Sequence, residues 1–540
     1  MLNLRRLALP SLLLSPTLLA CLVTGCSSRD TGLYEGDDGG ASAPASGGEG
    51  SGVSEGDPSG SASGTAGDTA AGTTGAEPPD DPSDEGGSDE SGSSGSSGGE
   101  APACDDETPV VLFLSPDDSN STSSPVQVRA AARAGGYLGN VPIRTWEFLN
   151  YYSFDYPGAE SGTVIVTPQL ARVGASKDAF TLQIGVSSEQ IANADRPLMN
   201  ITLVLDESGS MEGKSMDMQK AACRALIGSL RKGDVVSMVG WDTENAIKLE
   251  GHAVTGPNDP ALLAEIDALA AGGGTDLNGG LIAGYALAHK QFNQDRINRV
   301  VLISDGGANA GVTDIDLISG GAGAQDKDGI YLVGVGVGES DYYNDTLMDA
   351  VTDAGRGASL FIPSEEEANK MFGERFVSTM AVAVRDVQVQ LDMPPGFKIV
   401  KFSGEEFSSD PTQIEPQHLA PNDAMVFHQT LSTCAPNLGE AAELKVTARY
   451  RDAKNFAAKE TSETLLIGDA LAESSPQLLK GAAVFQYAES LKIVRDGDET
   501  ERAIAIAVAL TAIDAADTAL PGDADLAEIR SVLADLGASP

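Results

Sequence analysis

Cysteine is nearly absent from this chain of 540 residues: only Cys21, Cys26, Cys104, Cys223 and Cys434 occur. So few thiols, spread so widely, are no disulfide framework. Cys223 lies among apolar residues of an expected helix and reads as core. Cys104 and Cys434 could pair in an oxidising compartment, and the sequence leaves that open. Positive charge is scarce too: 35 Lys and Arg stand against 79 Asp and Glu, a net charge of −44. Such a field repels nucleic acid and anionic headgroups and argues against both as partners, with solubility as the plainer consequence. Residues 31–103 lack Lys and Arg altogether and hold a single aromatic, Tyr34. Gly, Ser, Ala, Asp and Glu dominate there, which cannot bury enough apolar surface to offset chain entropy. A flexible coil of roughly 75 residues spans about 50 Å, and its acidic charge extends it further.

What precedes that stretch has the form of an export signal. Arg5 and Arg6 form a short positive region, and Leu7 to Val23 is apolar but too short and wrongly flanked for a membrane span. Val23-Thr24-Gly25-Cys26 resembles a bacterial lipobox. The resemblance implies cleavage before Cys26 and lipidation of that cysteine, with Cys21 a weaker second candidate. Ser27 in place of an aspartate favours the outer membrane by the sorting rule of enteric bacteria. Residues 1–25 are therefore expected to be a lipoprotein signal peptide. Residues 26–104 are expected to be a disordered tether that holds the rest away from a membrane of the bacterial cell envelope.

Folded structure is expected from Val110, where Val-Val-Leu-Phe-Leu reads as a strand. Val126 to Ala134 is a helix or a strand. Trp146 to Tyr156 carries six aromatics in eleven residues, better suited to packing a small domain on its neighbour than to a ligand platform. From Met199 the pattern becomes strand–helix alternation. Strands are predicted at Ile201–Leu205, Val235–Val239, Val300–Ile303 and Ile330–Val337. Helices are predicted at Met216–Arg231 (stopped by Gly233), Ala261–Ala270, Leu277–Phe292, Thr346–Ala354 and Glu366–Met380. Strands apolar on both faces mean a parallel sheet covered on both sides, an α/β, Rossmann-like doubly wound fold. Alternating residues at 387–391 and 444–450 indicate half-buried strands beyond it, and helices at Pro476–Ile493 and Glu501–Ala515 are expected to close the chain.

In doubly wound sheets ligands bind beyond the carboxyl ends of the strands. One strand ends in Asp206-Glu207-Ser208-Gly209-Ser210, another in Ser304-Asp305-Gly306-Gly307, and Gly272-Gly273-Gly274-Thr275-Asp276 forms a loop between them. Asp206 and Asp305 with Ser208, Ser210 and Thr275 offer only hard oxygen donors, which suit Mg²⁺, Mn²⁺ or Ca²⁺ and not zinc. Two carboxylates roughly neutralise such an ion, and three neutral hydroxyls leave it electrophilic toward an anion.

The D-x-S-x-S of Asp206, Ser208 and Ser210, with Thr275 and Asp305 downstream, resembles the metal-ion-dependent adhesion site of von Willebrand factor type A domains, shared with integrin I-domains. All five positions occur in family order, within residues 195–380. The resemblance implies that Ser208, Ser210 and Thr275 ligate Mg²⁺ directly, that Asp206 and Asp305 act chiefly through water, and that an open position accepts a carboxylate from a partner protein. The flanks, 105–194 and the β-rich and helical region 381–540, resemble those of YfbK-like bacterial A-domain proteins. The expectation is a lipid-anchored envelope protein that binds and does not catalyse. A scaffold or assembly factor of an envelope complex is the alternative. A metal-dependent hydrolase would need a general acid or base and a cation. His252, His289, His418 and His428 fall outside the three loops, and Lys214 is the only cation in the first.

Overall fold

The structure, a computed structural model, describes residues 104–105, 107–115, 121–306, 329–339, 343–435, 441–471 and 475–538. All fall in Ser97–Pro540, one compact unit. The expected export signal, the expected lipidation position Cys26 and the expected tether up to residue 103 lie outside the described residues.

The strand Met199–Asp206 is buried at every position, and so is Ile330–Val337. They belong to a six-stranded sheet in the order Asn245–Ala253, Val235–Trp241, Met199–Asp206, Ile297–Ser304, Ile330–Val337, Ser359–Ile362. Strand order thus reverses on either side of Met199–Asp206, the doubly wound pattern expected. All pairings are parallel except that of Asn245–Ala253, which runs antiparallel to Val235–Trp241 along the edge. This edge strand escaped the sequence reading because it carries Lys248, Glu250 and His252 and is largely exposed, the charged finish of a strand that must resist further pairing.

Alternation along each strand feeds two cores. Ile201, Leu203 and Leu205, with Met238 and Val301, pack on Cys223, Leu226 and Leu262 of the helices Lys214–Ser229 and Pro260–Asp267. Cys223 is therefore a core residue, as expected. Val204, Val239 and Leu302 face the other way, toward the helix Leu277–Gln291, the aromatic segment and the C-terminal helices. Leu277–Gln291 lies so close to the sheet that a Cβ on Gly284 would stand 2.3 Å from Val204 Cγ2.

Two expectations on helices need correction. The helix Lys214–Ser229 ends at Leu230, and Gly233 serves in the turn beyond it at φ +97. The helix expected over 366–380 is broken into Glu365–Asn369, a π turn at Lys370–Glu374 and Phe376–Met380.

The stretches before and after the six-stranded sheet fold together. Val110–Leu114 pairs with Val384–Met393, which pairs with Glu443–Asp452. Ala179–Ser187 lies between Ile165–Arg172 and Ala424–Thr433. These two antiparallel sheets face each other across a core that includes Leu114, Leu182, Ile184, Leu391, Phe427 and Val446, a β-sandwich. A disulfide joins Cys104 to Cys434, with Cα atoms 5.6 Å apart. The ambiguous 126–134 stretch is helical, Ser123–Ala134. The aromatic segment forms the short helix Thr145–Tyr151, where Phe148 meets Tyr487 edge-on at 5.4 Å, so its aromatics pack. Three C-terminal helices, not two, close the chain: Pro476–Asp496, Glu499–Ala519 and Ala524–Ala538. Among the described residues no helix is long and apolar enough to cross a membrane.

Candidate functional site

An apolar strand that ends in a carboxylate must find that carboxylate donors. Asp206 closes Met199–Asp206 fully buried. Its Oδ1 accepts from the Ser208 amide at 2.8 Å, and its Oδ2 from the Ser304 hydroxyl at 2.6 Å. Ser304 Oγ in turn accepts from the Gly306 amide at 2.9 Å, so one hydroxyl ties the two strand ends together. Gln219, on the following helix, donates to the Asp206 carbonyl at 2.8 Å. Burial pushes the Asp206 carboxyl up to about 6, against the lowering effect of the Ser304 and Ser208 hydrogen bonds, and the Asp305 charge adds to the rise.

The chain turns at Gly209–Met211, which brings Ser208 Oγ within 3.1 Å of Ser210 Oγ. The middle loop is drawn onto the first: Gly209 donates to the Gly273 carbonyl at 3.3 Å and Gly272 to the Glu207 carbonyl at 2.7 Å. Gly273 sits at φ +75, a region that suits glycine, with Asp242 against its Cα. Thr275 follows, buried, and Asp276 caps Leu277–Gln291 by accepting from Gly279 at 3.0 Å. Asp305 is nearly buried at the end of Ile297–Ser304, and its carbonyl accepts from Asn344 at 3.2 Å.

All five predicted positions therefore stand at the carboxyl edge of the sheet, at its switch point. Direct bonds join Asp206 to Ser208 and Ser304, and the loops of Thr275 and Asp305 border them. Glu207 does not join the cluster: it turns aside to pair with Lys248 at 2.8 Å. The sequence reading missed Ser304, although a hydroxyl that ends an apolar strand beside Asp305 was a usable signal. Cys26 lies outside the described residues.

The donor chemistry is that of a hard divalent cation. Two cis ligands of an octahedral ion at about 2.1 Å stand about 3 Å apart, and the Ser208–Ser210 separation of 3.1 Å matches. No cluster of three or more His, Cys, Asp and Glu fit for a metal occurs among the described residues. Any such ion would thus rest mostly on neutral hydroxyls, with Asp206 and Asp305 balancing its charge.

Residues 201–308 match the family model of the von Willebrand factor type A domain, and this part of the chain is such a domain. The chain is 24% identical over 308 residues to the uncharacterized protein YfbK of Escherichia coli, spanning 54% of this chain and 53% of that one. It is 28% identical over 233 residues to the uncharacterized protein sll0103 of Synechocystis sp., spanning 43% and 54%. The chain thus spans about half the length of these curated relatives. The solved structure of a von Willebrand factor type A protein from Catenulispora acidiphila aligns at 15% identity and TM-score 0.45, over 70% of this chain and 99% of that one.

Proposed function

We propose that this protein uses its A domain to bind a partner protein through a divalent cation, Mg²⁺ first among candidates, held by Ser208, Ser210 and Thr275 with Asp206 and Asp305 in support. The observation that carries the reading is the 3.1 Å hydroxyl pair set beside a buried carboxylate. When bound, the cation would supply an electrophilic centre that takes a carboxylate oxygen of the partner. The chain's own part is preorganisation. Ser304 and the Ser208 amide fix Asp206 in one orientation. The Gly209–Gly273 contact keeps the Thr275 loop against the serines.

The reading is of binding, not turnover. His252 is engaged with Asp259 at 3.1 Å, and His418 and His428 sit in the sandwich. A scaffold role within an envelope complex would use the same site in the same way. Lipidation at Cys26 would hold the chain at the bacterial envelope, on the outer membrane. The Cys104–Cys434 disulfide supports an oxidising compartment of that kind. Because the partner's acidic residue meets a chain of net charge −44, added salt should leave association unchanged or faster.

Calorimetric titration of the full chain with Mg²⁺, followed by partner capture with and without chelator, tests the proposal. Mg²⁺ binding should vanish in Asp206→Ala, and capture should vanish with chelator. Capture of the true partner that survives chelation would overturn it.

A further inference from the structure

In a chain so acidic, buried cations with no carboxylate partner among the described residues are unexpected, yet two occur together. Arg299, near the start of Ile297–Ser304, is 5% exposed, and Arg385, near the start of Val384–Met393, is 8% exposed. Both guanidiniums lie against the ring of Tyr331, at 5.1 and 5.0 Å, and Arg385 also lies 4.4 Å from the ring of Phe456. Arg299 Nε donates to the Met380 carbonyl at 2.9 Å. Arg385 Nε is buried with no hydrogen-bond partner among the described residues. No carboxylate among the described residues pairs with either. Asp386, next in the chain, is taken by Arg356 at 2.9 Å and Arg451 at 3.3 Å. The His418 imidazole stands edge-on to Tyr331 at 4.7 Å, and its pKa is driven well below the usual value by burial and then by Arg356, Arg385 and Arg299.

A buried charge normally keeps a partner, because its lost hydration must be replaced. Here Arg299 and Arg385 are both among the residues that line a cavity of about 720 Å³ between the A domain and the sandwich. It lies at the amino-terminal end of the central strands, away from Asp206. Its volume is that of a small-molecule site. Its lining includes the turn Ala453–Phe456, and Phe456 holds φ +58, a conformation rare outside glycine, where its ring covers Arg385.

The geometry points to a binding site for a small organic anion, a carboxylate or a phosphate, seated on Arg299 and Arg385 with its apolar part against Phe456. A planar guanidinium is the donor suited to both headgroups. Asp195 and Asp295 are exposed at the cavity's lining, and Asp452 is paired with Lys459. Lys454 is exposed at the same lining, and a cavity of this size admits a single small molecule and not an acidic protein or nucleic acid.

Calorimetric titration of the full chain in EDTA, so that the metal site plays no part, tests this site alone. Inorganic phosphate and succinate are titrated in separate arms against chloride of equal ionic strength. At least one should bind with one-site behaviour, and the arm that responds names the headgroup. Arg385→Gln should weaken that binding about tenfold or more, and Arg385→Lys should weaken it less. Lys454→Gln, at the exposed mouth and harmless to folding, should weaken it measurably even if Arg385→Gln does not fold. Absence of binding in both arms, or equal binding by wild type and the folded variants, overturns the site.

Discussion

Asp234→Ala should destabilise the protein by about 4 kcal/mol, the cost of stripping a buried ion pair of one partner. Asp234 and Arg196 are both fully buried, and Arg196 Nη2 reaches Asp234 Oδ2 at 2.6 Å. Asp234 Oδ1 accepts from Arg196 Nη1 at 3.1 Å and from the Met199 amide at 2.8 Å, and Oδ2 also accepts from the Arg231 amide at 2.7 Å. Removing the carboxylate thus leaves a guanidinium and two amides wanting. Arg196 would keep only the Asn193 side chain at 2.7 Å, the Pro197 carbonyl at 2.9 Å and the ring of Phe376 at 5.2 Å. The loss is a large share of a typical domain's stability. The double variant Arg196→Met, Asp234→Ala should recover part of it, because it removes the orphaned charge. Urea denaturation followed by circular dichroism gives the four corners of the cycle. Met199 begins the strand that Asp206 ends, so the folded fraction of Asp234→Ala should bind Mg²⁺ as the wild type does. A loss below about 1 kcal/mol, or strict additivity in the cycle, would refute the argument.

His428 is buried, bonded to Gln183 at 2.9 Å, and burial pushes its pKa down to about 3. A depressed histidine stabilises fully above its unfolded value near 6.5 and loses that contribution as pH falls toward the folded value, at about 1.4 kcal/mol per pH unit. Urea midpoints of His428→Asn measured from pH 7 to 4 should therefore fall less steeply than those of the wild type, and parallel curves would count against this. Cys434→Ser frees a crosslink spanning 330 residues of chain. It should cost about 3–5 kcal/mol in denaturant, and reduction should have no further effect on the variant. A reductant-sensitive midpoint in Cys434→Ser would show that the bond is not the cause.

The site was legible because its first three positions are close in sequence and the other two lie in polar clusters at element boundaries. Asp206 bonds Ser208 two residues on, Ser208 meets Ser210 two residues further, and Asp206 closes an apolar strand whose direction the pattern gives, whereas the bonds that draw the loops together, Ser304 to Asp206 and Gly209 to Gly273, had to await the fold. The edge strand was not legible, because Lys248 and Glu250 mask its alternation. Nor was the sandwich: Leu112 finds Leu391 and Ile184 finds Phe427 across stretches that no local period encodes. Charge composition was misleading at one point for the same reason. A net charge of −44 says nothing of where the few cations go. Arg299 and Tyr331 belong to neighbouring strands of the A domain, whereas Arg385 and Phe456 come from the sandwich. Each is unremarkable among its own neighbours in sequence, and only the closing of the sandwich around the inserted A domain sets the two guanidiniums on one ring. A chemistry written within loops can be read before the fold is known, and one written between sheets requires the fold first.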